Sequence, residues 1–475
     1  MTWFFCAFLR CRCIFIIYVI AIIKIMWYNN YILHKNRKDI INMSEIKLST
    51  KPYKGTRDFY PRDMMLRNWF FGKIREALTL SCFDEYGGPM LESLDLYIAK
   101  SGEELAGEQT YNFEDKGHRR LAIRPEMTPT VARMVAAKTG ELNFPLRWFS
   151  IPNMYRCENP QRGRLREFWQ LNVDIFGCDT YEADLETIIS AIRVLRIFGA
   201  DSSMFTVHIN NRRFFNDVVA AIANTDVEGC RKISKIIDKR KKIPADVYVT
   251  ELEKLGMNAE QIAKLDSLYT ASVEEATSLC PDSVGSKELI NLFEMLKKIG
   301  LAEFCCFDFG IIRGLDYYTG TVFEVFDNAP ENNRAMFGGG RYDNLVGLFV
   351  NNAKISGVGY GMGDVTLQNF LETHKLIPDE LTEKKILITR FDDVPYEAYV
   401  SLSDKLYELG YSVSIYLGSK KFGKQIDYAV KENYSHIIIM GGSELEGGIV
   451  KIKNLAQREE KTVSIEELAN PETFA

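Results

Sequence analysis

Hydrophobic and polar positions alternate with period two between Trp169 and Ile175. Trp169, Leu171, Val173 and Ile175 fall on one face, and Gln170, Asn172 and Asp174 on the other. The run lies inside RWFSIPNMYRCENPQRGRLREFWQLNVDIFG, residues 147–177. Two strand-like segments there flank a polar, glycine-containing tip at 161–166, which predicts an antiparallel hairpin with a long loop. From residue 384 the pattern alternates between elements. KILITRF, SVSIYL, HIIIM and GIVKIKN read as strands, and 396–409 and 424–433 as helices. That order predicts a small, mostly parallel sheet covered by helices. The polar segment HKLIPDELTEK, with Pro378, separates this unit from what precedes it. Residues 213–302 are helical in pattern and rich in charge, and read as an insertion between two strand-rich blocks. The expected organisation is therefore an apolar extension (1–42), a first domain (43–375) carrying the insertion, and a second domain (384–475).

The extension is apolar over Trp3–Leu9 and Cys13–Ile23, but Arg10, Arg12 and Lys24 interrupt it. Its longest uninterrupted run falls short of the ~20 residues a spanning helix needs. No small-residue cleavage site follows it. The expectation is a translation start at Met43, with a membrane anchor as the alternative.

With 46% hydrophobic and 26% charged residues, the composition excludes a disordered, collagen-like or multi-span membrane chain. A net charge of −5 argues against coating nucleic acid by charge alone, yet leaves room for local basic surface. The ten cysteines form no disulfide or zinc spacing and read as reduced thiols. The five histidines are scattered, so a histidine-based metal site or triad has little support.

The polar face of the Trp169–Ile175 strand fits either solvent or a ligand. Arg156 and Glu158 lie near the end of the first hairpin strand, close to Arg162, Arg164 and Arg166. Guanidinium groups suit bidentate binding of carboxylate or phosphate, although three at alternate positions also fit a solvated loop. In GVGYGMGD, residues 357–364, glycines at alternate positions fit a strand that a ligand or backbone approaches closely. A dinucleotide fingerprint is the weaker reading, because no preceding βα context appears.

These blocks resemble the class II aminoacyl-tRNA synthetases. The hairpin, with Arg-x-Glu on its first strand and an arginine-bearing loop, is similar to motif 2. IRGLDYYTGTVFEVF, LAIRPEMTPTVAR and FGGGRYDNLVGLF resemble signatures of the histidyl-tRNA synthetase family, in the family's order from Tyr53 onward. The resemblance implies an α+β catalytic domain with an antiparallel sheet plus a C-terminal α/β anticodon-binding domain. It also implies a cytoplasmic homodimer without a stable membrane partner, using L-histidine, ATP, Mg2+ and tRNA(His).

By the same resemblance, Glu126, Thr128 and Gln170 would receive the α-ammonium group of histidine. Arg156 would hold its carboxylate and the α-phosphate, and Glu158 would lie near adenine. Asp174 and Tyr318, beside Tyr317, would bind the imidazole nitrogens. Arg313 would stabilise charge developing at phosphorus, and Arg164 joins the ATP-binding set. From the residues alone, Tyr317 and Tyr318 also fit strand packing, and Glu126 fits a helix start. YGGPMLE, residues 86–92, resembles the end of the dimer-forming motif 1. Lys420, Lys421 and Lys424 are candidate RNA phosphate contacts, or a solvated helix start.

The chain departs from the family at motif 3, where Thr366 stands in place of a nucleotide-contacting arginine. Arg164 and Arg341 are the candidates to replace it. Asp174 stands where many bacterial members carry glutamate. The runner-up function, a non-catalytic regulatory subunit of ATP phosphoribosyltransferase, belongs to related chains that lack the C-terminal domain and lose catalytic arginines.

Overall fold

A computed structural model of the chain describes residues 48–99, 109–240, 242–312, 318–332, 334–350, 354–379, 381 and 384–474. The expectation for residues 1–42 lies outside them, as do Arg313 and Tyr317. Contacts divide the chain at Arg57. On the N-terminal side the Thr56 hydroxyl closes a turn onto the Tyr53 carbonyl at 2.7 Å. The second unit runs from Asp58 onward.

The chain runs through α1 (Pro61–Thr79), β1 (Asp84–Glu85), β2 (Leu91–Ser93), α2 (Leu94–Ile98), β3 (Asn112–Glu114), β4 (Arg120–Ile123) and α3 (Thr128–Ala137). The hairpin follows as β5 (Leu146–Ser150), β6 (Asn153–Tyr155) and β7 (Glu167–Phe176), and then come α4 (Tyr181–Arg196) and β8 (Phe205–Asn211). Helices α5 (Arg212–Ala223), α6 (Val227–Lys239), α7 (Ala245–Lys254), α8 (Ala259–Ser267), α9 (Val273–Thr277) and α10 (Val284–Lys298) come next. The chain returns to strands at β9 (Cys305–Phe307), β10 (Thr321–Asp327), β11 (Ala335–Arg341) and β12 (Gly357–Gly363), which leads into α11 (Asp364–Thr373).

The nine-stranded sheet has the order β1-β5-β7-β12-β11-β10-β8-β9, with β6 also on β7. Every neighbouring pair from β5 to β8 is antiparallel, and only the two edge strands join in parallel. Leu171, Val173 and Ile175 enter the main core together with α1 and α4. The opposite face of β7 is left for polar side chains. Tyr318 precedes β10 and is not a strand residue, which corrects the strand reading made for it.

The last unit comprises β13 (Lys385–Ile388), α12 (Tyr396–Glu408), β14 (Ser412–Ile415), α13 (Phe422–Lys431), β15 (His436–Ile439), α14 (Gly442–Glu446), β16 (Ile449–Asn454) and β17 (Glu460–Ser464). Strands β14, β13 and β15 are parallel, whereas β15, β16 and β17 are antiparallel. The sheet is thus mixed, not mostly parallel. Strands β13, β14 and β15, joined through α12 and α13, run parallel; β15 and β16 pair antiparallel across the short α14, and β16 and β17 do so across a tight connection at 455–459.

Candidate active site

Polar side chains converge above the centre of the large sheet. Glu126, Thr128, Arg156, Glu158, Arg164, Gln170, Asp174 and Tyr318 line one cavity of about 1190 Å3. Asn172, the middle residue of the polar face of β7, lines it too.

Strand β7 makes the floor because its neighbour β12 contributes almost no side chains there. Gly359 lies opposite Asp174 and Gly361 opposite Asn172 in the antiparallel register. A Cβ on Gly359 would sit 2.3 Å from Asp174 Oδ1, and one on Gly361 would sit 2.2 Å from Gln170 Nε2. These two glycines give the polar side chains of β7 their space. The close approach expected for this strand is therefore made by the neighbouring strand's side chains, whatever ligand enters.

Asp174 is 3% exposed. The Tyr342 hydroxyl donates to its Oδ1. Its Oδ2 has no hydrogen-bond partner among the described residues. Burial pushes the carboxyl up to about 7, against the bond from Tyr342, which favours the charged form. A half-satisfied carboxyl facing a cavity suits a ligand N–H. Beside it, Gln170 Nε2 donates to Asn172 Oδ1 at 2.8 Å, and Asn172 Nδ2 returns a bond to the Gln170 carbonyl at 2.9 Å. The Gln170 amide oxygen is thereby oriented away from Asn172, and can serve as an acceptor.

Arg156 is held by a 2.9 Å bond from its Nε to the Pro125 carbonyl, and its guanidinium lies 5.3 Å from the Phe168 ring centroid. Its remaining N–H groups can meet an anion. Glu126 is buried immediately before α3, and Thr128 opens that helix. The turn carrying both is tied to the hairpin by buried Arg124, which donates to the carbonyls of Asn153 and Gly88, each at 2.8 Å. Arg164 reaches Glu158 at 3.0 Å across the loop.

Arg341 does not join the site. It is 2% exposed and pairs at 2.9 Å with Asp184, also 2% exposed, while also donating to the Cys178 and Thr180 carbonyls. Asp184 and Asp343 offset the cost of burying its charge. Each of its three nitrogens is bonded to protein and its side chain is buried away from the cavity lining, which argues against its replacing the arginine absent at 366.

Sequence reasoning missed Tyr342, Arg124 and the rim of the cavity. Arg231, Lys235, Asp238 and Lys239 of α6, with Lys242 beyond it, line the mouth. Arg231, Lys235 and Lys239 recur every four residues and so share one face, a signal present in GCRKISKIIDKRKK. Arg231 pairs with Glu228, and Lys242 with Asp238. Lys235 and Lys239 form no ion pair among the described residues. In the last unit, Lys420, Lys421 and Lys424 are exposed around the start of α13, and Lys424 pairs with Asp427 at 3.0 Å.

An antiparallel catalytic sheet floored by a polar hairpin strand, followed by an α/β unit, is the fold of a class II aminoacyl-tRNA synthetase with a C-terminal anticodon-binding domain. The family model described as histidyl-tRNA synthetase matches residues 55–364, and the anticodon binding domain model matches 385–470. The chain belongs to the histidyl-tRNA synthetase family. It is 45% identical over 431 residues to the histidine–tRNA ligase of Leptospira biflexa, covering 90% of this chain and 98% of that one. Among solved structures it resembles a histidyl-tRNA synthetase from Nostoc sp. PCC 7120, with TM-score 0.77, 24% identity, and 90% and 99% of the two chains covered. It also resembles a protein of Bacillus halodurans described as an ATP phosphoribosyltransferase regulatory subunit/histidyl-tRNA synthetase. There the TM-score is 0.71 and the identity 23%, with 84% and 100% covered. Those two likenesses concern the fold.

Proposed function

We propose that the chain activates L-histidine with ATP and transfers it to the 3′ end of tRNA(His). The observation that carries this reading is the buried, half-satisfied Asp174 carboxyl in a cavity shared with Glu126, Thr128, Arg156 and Gln170. Asp174 accepts an imidazole N–H, with Tyr318 on the other ring nitrogen. Glu126, Thr128 and Gln170 take the α-ammonium group, which has three donors to place. Arg156 brackets the amino acid carboxylate and the α-phosphate, bringing the reacting atoms together. Glu158 lies near adenine, and Arg164 faces the phosphates.

A carboxylate oxygen of histidine attacks the α-phosphorus, and the bond from that phosphorus to the bridging oxygen breaks. Histidyl-adenylate and pyrophosphate result. Arg313 joins Arg156 in meeting the charge that develops. The terminal hydroxyl of the tRNA then attacks the mixed anhydride and releases AMP.

The described residues hold no cluster of three metal-ligating side chains. A magnesium ion of the kind that arrives on nucleotide phosphates needs only one or two carboxylates, and Glu324 on the cavity wall is suited to that. Bound there, it would neutralise phosphate charge.

The basic face of α6 at the mouth supports entry of an RNA end. Exposed Met90, Leu91 and Phe113 support burial of that surface in a homodimer. Exposed thiols at Cys82 and Cys157 suit the cytoplasm. Among the described residues no helix is long and apolar enough to cross a membrane.

Histidine-dependent ATP–pyrophosphate exchange by the full chain tests the reading. Exchange should require histidine and fall about 10²–10³-fold in Arg156→Ala. A folded protein that binds histidine but supports no exchange would sink it in favour of the regulatory role.

A further inference from the structure

Beside the main cavity lies a second one of about 430 Å3, and the two share Gly163, Arg164, Ala335, Met336 and Thr366. Its charged lining is Arg162, Arg164 and Arg334 against a single carboxylate, Glu331. Arg164 is the one with an acidic partner, Glu158. Arg162 Nη2 donates to Asn332 Oδ1 at 3.5 Å, and Arg334 Nη2 to Gln161 Oε1 at 3.3 Å. Both partners are neutral amides, and neither guanidinium forms an ion pair among the described residues. The arrangement is set from behind. Asn332 Nδ2 donates to Asp327 Oδ2 at 2.7 Å and to Thr373 Oγ1 at 3.2 Å, which turns its oxygen toward Arg162.

Thr366 supplies no charge to this cavity. Its single hydroxyl hydrogen is shared between the Met336 carbonyl at 2.8 Å and the Gly363 carbonyl at 3.1 Å, so its donor capacity is used on backbone. Its methyl group lies toward Gly163, 3.7 Å from where a Cβ on that glycine would stand. The positive charge comes from the walls, from the hairpin loop on one side and the β10–β11 connection on the other. Two guanidiniums with neutral partners lining one cavity suit a polyphosphate, whose oxygens accept several charge-assisted bonds at once.

We infer that Arg334 and Arg162 form the subsite for the β- and γ-phosphates of ATP, and for the pyrophosphate that leaves. This rests on the proposed adenylation chemistry. When the bond between the α-phosphorus and the bridging oxygen breaks, its electron pair goes to pyrophosphate, and these two arginines meet the charge gained. Arg334 thereby supplies from the β10–β11 connection the cation that position 366 does not.

The test measures ATP–pyrophosphate exchange and, separately, calorimetric binding of inorganic pyrophosphate to the full chain. Arg334→Ala should raise KM for ATP about 10- to 100-fold, the loss expected for a charge-assisted contact, with KM for histidine within about twofold. Pyrophosphate binding should weaken in parallel, and Arg334→Lys should recover only part of it. Thr366→Arg added to Arg334→Ala should restore ATP binding, an outcome a merely structural role for Arg334 would not give. Unchanged KM for ATP and unchanged pyrophosphate binding in both Arg334→Ala and Arg162→Ala would overturn the subsite. Absence of exchange in the unaltered protein would count against the adenylation reading, and the pyrophosphate titration would still decide the subsite.

Discussion

The two larger of the three sheets among the described residues spend their central strands differently. In the C-terminal unit β13 and β15 are apolar on both faces: Ile386, Ile388 and Ile438 enter one core, while Leu387 and Ile437 enter another. In the large sheet β7 is apolar on one face only, and its other face carries Gln170, Asn172 and Asp174 into a cavity. A strand covered by helices on both sides can be read as pure packing. A central strand with one polar face, opposite glycines that keep it clear, is a strand built around a ligand. By that contrast the small unit offers polar groups only at its surface, such as Lys420 and Lys421, whereas the large one offers them on a central strand.

That contrast can be broken by substitution. Ile438→Ala removes a fully buried side chain and should cost about 2–5 kcal/mol in chemical denaturation of the C-terminal unit. Histidine-dependent exchange should stay within about twofold, and a large fall would mean that the small sheet also shapes the site. Gly359→Ala should act in reverse. Its new methyl meets Asp174 Oδ1 at 2.3 Å and the Val173 carbonyl at 2.4 Å, so kcat/KM for histidine should drop by about 10²-fold. Normal kinetics in that variant would show that the polar face does not position substrate.

The smallest effect is the pH response of Asp174. Its carboxyl in the ligand-free protein is raised to about 7 by burial, so it takes up a proton as pH falls through that value. Protonation removes the negative acceptor, and KM for histidine should rise by up to about tenfold per unit below pH 7. The imidazole of free histidine titrates identically for every variant. The difference in slope between the unaltered protein and Asp174→Asn therefore isolates the carboxyl, and equal slopes would count against its role. The stability sign is opposite to that of a salt-bridged acid: a carboxyl raised in the folded state stabilises at low pH and loses that contribution as pH rises from about 4 through 7.

The polar floor of the candidate site was legible in local periodicity, whereas Glu126, Thr128, Arg156, Glu158, Arg164 and Tyr318 came from the family resemblance. Alternation alone separated Gln170, Asn172 and Asp174 from Leu171, Val173 and Ile175, and the glycine spacing of 357–363 marked a strand of close approach. What stayed hidden depends on pairings distant in sequence. Arg341 looked available for phosphate until Asp184, on a helix far earlier in the chain, was found beside it. Tyr342 gave no local sign that it would support Asp174. The mixed sense of the C-terminal sheet depends on the length of each connection, two long helices giving parallel pairs and short links giving antiparallel ones, which hydropathy does not record. The face of α6 was written plainly at every fourth residue, but only the packing of the helices shows that it borders the cavity.

Lys235 and Lys239 on that face would, under the proposed chemistry, give the two half-reactions different sensitivities to the medium. On the proposed chemistry, histidine would be held by short contacts to groups such as buried Glu126 and Asp174, where mobile ions screen little. An RNA end arriving at the mouth meets charges open to solvent, whose reach shrinks to about 8 Å at physiological ionic strength. Each phosphate they neutralise also releases a condensed counterion. If the lysines receive the RNA, salt becomes a dial on the second step more than on the first: raising it should lower delivery to the RNA more steeply than amino acid activation.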